Sequence, residues 1–178
     1  MLGAHPARSI RGVDGLARAY DFILEARFDQ ADAELRRACG PAPPEACDVL
    51  NATAIWWKIL LDPESRDLDD EFSTAVEHAI ESTEAWTDRA PDDAEAWFYN
   101  GGAYAARVQW RVLRNEKLAA ARDGKRIKLA LERAIELDPT LEDAYFGVGM
   151  SRASSARRGV SSDSSRQMGV RIRACSCA

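Results

Sequence analysis

An all-α array of antiparallel helical hairpins is what this sequence predicts, and three observations carry the prediction. Apolar residues recur at helical spacing of three and four from Val13 to the region of Met150. Prolines punctuate the chain where those stripes end, at Pro41, Pro43, Pro63, Pro91 and Pro139. Pro43, Pro91 and Pro139 also stand 48 residues apart (91 − 43 and 139 − 91), each after one stripe and before another.

Taken in order, residues 1–12 read as a disordered N-terminus. Their apolar content is too short for an intact signal peptide, and Gly3-Ala4-His5-Pro6-Ala7 is either an ordinary loose end or the remnant of one. Leu16, Ala19, Tyr20, Ile23, Leu24, Phe28, Ala31, Leu35 and Ala38 then mark two helices, joined tightly near Arg27-Phe28-Asp29. Gly40 ends the second and the cluster Pro41, Pro43, Pro44 forbids its continuation. Pro44-Glu45 suits the first turn of a third helix, because proline lacks only an amide that would be orphaned there and the carboxylate meets the positive end of the dipole. That helix runs to about Leu61 and stops at Asp62-Pro63.

A fourth helix, Leu68 to about Arg89, carries Phe72, Ala75, Val76, Ala79, Ile80 and Trp86 on one side, with acids crowded at its start. Asp92 with Glu95 three residues on predicts a capping box for the fifth helix. This helix is expected to reach about Arg122, with Gly124 breaking it from a sixth, Lys125 to Leu137, whose Ile127, Leu131, Ala134 and Ile135 form one stripe. Asp138-Pro139 stops that helix, and Glu142-Asp143-Ala144-Tyr145 starts another.

Counting from each of the three prolines, the residues eight and five before are Leu35 and Ala38, Thr83 and Trp86, and Leu131 and Ala134. Twelve before stand Ala31, Ala79 and Ile127; six after, Val49, Trp97 and Tyr145; ten after, Thr53, Gly101 and Gly149. This resembles the tetratricopeptide (TPR) family, in which small residues, large ones, an alanine and a helix-stopping proline recur on paired helices of 34 residues. The units here are about 14 residues longer, and Trp86 and Thr83 depart from the pattern. The resemblance covers Gly15 to Met150 and implies a TPR-like α-solenoid over residues 13–150. Its packing positions are Ala31, Leu35, Ala38, Trp97, Gly101, Tyr104, Leu131, Ala134, Tyr145 and Gly149.

The function implied by the resemblance is that of a non-catalytic scaffold. A protein or peptide would dock in a concave groove lined by the first helix of each pair, which carries over to Trp57, Lys58, Glu95, Phe98, Gly102 and Phe146, beside Leu50, Ala54, Ala105 and Asp143. These do not reproduce the Lys/Asn/Arg set that holds a C-terminal carboxylate, so no carboxylate clamp is expected. Read from the residues alone, Trp56, Trp57, Trp97, Phe98, Tyr99, Tyr104 and Trp110 either line a ligand groove or pack between hairpins. The alternative class is an enzyme or accessory with a Trp-lined cleft and Glu81 or Glu95 as general base.

No catalytic, cofactor or metal residues are expected. His5 and His78 stand alone, and Gly101-Gly102 lies in a helical pattern with no strand before it, unlike a phosphate loop. The stretch Val49 to Leu61 is too short and too polar to cross a bilayer. Residues 1–150 hold 18 Lys and Arg against 28 Asp and Glu, so no nucleic-acid partner is expected.

Cys39 and Cys47 flank the proline turn, where a disulfide would close a short loop. Bonded, they place the protein in the periplasm or outside the cell with a signal peptide missing; as two thiols they fit the cytoplasm. Residues 151–178 hold 8 Ser and 6 Arg and lose the apolar spacing. They read either as a disordered basic tail or as the product of a frameshift near codon 151, and Cys175 with Cys177 has no closing pair for a metal.

Overall fold

The computed structural model describes residues 10–145 and 147, and among them the regular structure is entirely helical. Six helices follow in order: α1 (Val13–Leu24), α2 (Phe28–Ala38), α3 (Pro44–Leu61), α4 (Asp69–Arg89), α5 (Ala94–Leu113) and α6 (Lys117–Leu137), with a further helical turn beginning at Glu142. Each packs against the next, and α1, α3 and α5 also touch in series. The short turns make neighbours antiparallel, so α1, α3 and α5 run the same way.

Two of the expected helix boundaries move. The fifth helix ends at Leu113, and Gly124 lies inside α6 with open space where a Cβ would be. The break falls instead at Asn115, whose φ of 64° is the left-handed conformation that ends helices. Asp123 explains why α6 continues past Gly124: it sits almost fully buried between Arg107 and Arg111 of α5, accepting hydrogen bonds from Arg107 at 2.9 Å. The capping residue of α5 is Asp93, which accepts from the Glu95 amide at 3.2 Å; Asp92 pairs with Arg133. No reciprocal box forms, because the Glu95 side chain is held by Arg11.

One apolar core runs through α1 to α5, with Phe72 and Val76 of α4 and Ala46, Ala52 and Ile55 of α3 at its centre. Trp86, at the departure from the family pattern, is buried and stacks on Tyr99 at 6.2 Å. Thr83 beside it is fully buried, bonds back to the Ala79 carbonyl and accepts from Asn100 of α5 at 3.2 Å. A smaller cluster joins Leu131 and Ala134 of α6 to Ala144 and to Trp97 and Phe98 of α5.

Of the packing positions, Ala31, Leu35, Ala38, Gly101, Tyr104, Leu131 and Ala134 are buried. Trp97 is half-buried with its indole N–H donating to the Pro91 carbonyl at 2.9 Å. Tyr145 is 49% exposed, and Ala144 next to it takes the buried place, because a small side chain fits against Leu131 and Ala134. Gly149 lies outside the described residues. The structure bonds Cys39 to Cys47 across the α2–α3 turn, with Cα atoms 6.0 Å apart.

Candidate binding groove

On α3 and α5 most of the circumference is occupied, and what is left over there, with the outer side of α1, defines a groove. On α5, Gly101 faces Leu131 of α6, Asn100 and Tyr99 face Thr83 and Trp86 of α4, and Gly102 faces Val49 of α3. The free side holds Ala105, Gln109 and Val112, at helical spacing, with half-buried Phe98 at its edge against the Leu131–Ala134 cluster. On α3, Trp56 meets Phe72 of α4 and Ala54 packs with Ala31 of α2, leaving Leu60 exposed and Leu50, Thr53 and Trp57 half-buried, Trp57 against the Ile23–Ala31–Ala54 cluster. On α1, Gly15 abuts Ala38 and Arg18 bonds Glu34 of α2 at 2.9 Å, while Leu16, Ala19 and Ile23 are buried. Val13, Asp14, Ala17, Tyr20, Asp21 and Leu24 remain exposed.

The leftover side chains named on α3 and α5 carry no charge, whereas on α1 Asp14 and Asp21 stand exposed among the apolar ones. Among the described residues, six of the nine exposed large hydrophobic side chains, Val13, Tyr20, Leu24, Leu60, Leu61 and Val112, lie on these three helices. Leu61 and Val112 are 67% and 59% exposed, which no requirement of the core accounts for. From Phe98 to Val112 the α5 side spans about 21 Å at 1.5 Å per residue.

The sequence-derived groove residues divide. Trp57 and Phe98 border the groove, each half-buried. Lys58 turns toward α2, its ammonium 5.5 Å from the centre of the Phe28 ring. Gly102 lies against Val49, where it sets the approach of α5 to α3. Glu95 is buried beneath Arg11, which bonds it through both its backbone amide (3.1 Å) and its guanidinium (2.8 Å) and lies over Trp86. Burial lifts the Glu95 pKa above the ordinary carboxylate value, against the lowering effect of Arg11. Phe146 lies outside the described residues. Tyr20, Leu24, Leu60 and Val112 do not stand out in the sequence as groove residues; their only signal is apolar side chains beyond the width one buried stripe needs.

No family model, curated protein or solved structure matches the chain. The reading of the groove therefore rests on its own chemistry.

Elsewhere, a shallow cleft of about 660 Å³ lies where Ile10–Gly15 crosses α2, lined by Arg11, Arg18, Glu34 and Arg37 among others. Glu34 is a buried carboxylate beside a cavity, the arrangement a general base would need. Arg18 at 2.8 Å and Arg37 at 3.6 Å occupy its two oxygens, one each, so acting as a base would break two ion pairs. Glu81 is exposed and Glu95 is closed off by Arg11. His78 is exposed, 3.5 Å from Asp48. Among the described residues no group of three His, Cys, Asp or Glu side chains is placed to hold a metal ion, and no helix is long and apolar enough to cross a membrane.

Proposed function

We propose that the protein is a TPR-like scaffold that docks a protein or peptide segment in the groove between α1, α3 and α5. The exposed apolar side chains that α3 and α5 present to that groove are the observation that carries the reading. Isolated hairpins cannot bury their stripes and so stack, which leaves the first helices of successive pairs side by side along one face. The serial contacts of α1, α3 and α5 agree with such stacking. Solvent-exposed leucines, valine and tyrosine at helical spacing then supply anchors for a partner's apolar side chains. Proteins keep large apolar patches uncovered chiefly where something binds them.

Affinity capture from the native host with three baits tests the proposal: the native chain, Val112→Asp, and Lys125→Asp on the exposed side of α6. Both variants should keep native helix content by circular dichroism, since Val112 and Lys125 are exposed. A partner held by the native chain and by Lys125→Asp but lost from Val112→Asp supports the groove. A partner retained by Val112→Asp removes it.

A further inference from the structure

The groove opens at the end where α1, α3 and α5 terminate, and that mouth has a charge. The α3–α4 turn carries Asp62, Glu64 and Asp67, all exposed, and among the described residues none of the three is in an ion pair. The turn is fixed against the end of α5: Arg114 donates to the Pro63 and Ser65 carbonyls at 2.7 Å each and binds Asp69, which also accepts from the Trp110 indole at 3.0 Å. Asp62 follows directly on the exposed Leu60 and Leu61 at the end of α3, and its turn is bonded to the end of α5 through Arg114. The cations nearby are committed: Arg66 and Arg114 to Asp69, and Arg27 to Glu25. Lys117 is the one cation of these turns without an ion pair among the described residues.

Resting on the groove reading, we infer that the groove accepts an amphipathic helical segment whose apolar face lies along α3 and α5 and whose basic end meets Asp62, Glu64 and Asp67. A lining of about 21 Å matches a helix of about 14 residues. The acidic mouth disfavours a carboxylate or phosphate headgroup, so the same groove is a poor seat for an anionic lipid.

Two fluorescein-labelled 14-residue peptides, identical in a leucine face at helical spacing and ending in four lysines or four glutamates, test the inference by fluorescence anisotropy on the full chain. The lysine-ended peptide should bind at least about tenfold tighter, with the gap closing as salt is raised. Asp62→Asn/Glu64→Gln/Asp67→Asn should remove most of that gap, while Asp88→Asn/Glu136→Gln/Glu142→Gln, three exposed acids away from the mouth, should leave it. Equal binding of the two peptides, or an equal effect of the two triple variants, overturns the acidic-mouth inference while leaving the groove standing. If Leu60→Asp and Val112→Asp leave the lysine-ended peptide bound, the groove reading itself fails, and absence of binding by both peptides overturns the inference as well.

Discussion

Ala26 sits at φ 57° and Asn115 at φ 64°, and the turns around them are built alike. In the first, Ala26 N–H bonds the Ile23 carbonyl and Arg27 N–H that of Phe22; in the second, Asn115 N–H bonds Val112 and Glu116 N–H bonds Arg111. Both are Schellman closures with the left-handed residue just past the helix. Asparagine tolerates that conformation, whereas in alanine it costs about 1–2 kcal/mol. Ala26→Gly should accordingly raise stability by about 0.5–1 kcal/mol in urea melts, and an unchanged or lowered midpoint would contradict the turn. Arg114 is the other residue with a large expected effect, since its loss leaves Asp69 nearly buried without its principal cation. Arg114→Ala should cost about 3 kcal/mol or more. Burial alone would raise the Asp69 pKa, but the bonds from Arg114 and Trp110 outweigh it and hold it below the ordinary 3.8. A carboxyl depressed in the folded state contributes stability above its unfolded pKa and loses it as pH falls through the folded value. As pH falls below the ordinary carboxylate value of 3.8, Asp69→Asn should therefore lose less stability than the native chain; parallel acid limbs in the two proteins would rule this out.

At the scale of elements, the crossing of α5, α6 and the turn after Pro139 is set by Leu131. A Cβ on Gly101 would meet Leu131 Cδ2 at 2.9 Å, and one on Gly147 would meet Leu131 Cδ1 at 2.5 Å. Gly101→Leu and Ala134→Leu should each destabilise by about 1–3 kcal/mol through overpacking, while Glu132→Leu should be near neutral. Thermal melts that rank them otherwise would mean the helices are phased differently. The small residues of this crossing are legible in the sequence, as are the starts of α3 and α4, because proline, aspartate and helical spacing act locally. The α5–α6 turn is not. Glycine draws attention at Gly124, yet the helix there is held by the buried Arg107–Asp123–Arg111 contacts between residues 12 to 16 apart, and the true stop is an asparagine whose left-handed tolerance is easily passed over. Spacing favours Asp92 over Asp93 as a cap and misleads for a similar reason: the Glu95 carboxylate is claimed by Arg11, 84 residues away.

For the whole molecule, the Cys39–Cys47 bond closes a loop with sequence separation of 8, and the chain entropy removed from the unfolded state by so short a loop is worth about 2–3 kcal/mol. Reduction should lower stability by that order, read as a shift in urea midpoint with and without reductant. Two free thiols at Cys39 and Cys47 in protein taken from an oxidising compartment would contradict the bond. The groove is only partly legible in the sequence. Trp57 and Phe98 are expected from their place on first helices, but Lys58 and Glu95 fall to it by position alone. Which side of a helix stays uncovered depends on packing from α2 and on the crossing of Arg11 over Trp86, and neither contact leaves a local mark in the sequence. If a partner lies along the free side of α1, α3 and α5, photo-crosslinking will capture it there, with a benzophenone amino acid placed at Gln109 in the groove or at Lys125 on the exposed side of α6. One discrete crosslinked partner from position 109 and none from position 125 is the expected result; crosslinking from 125 alone, or equally from both, would contradict the groove.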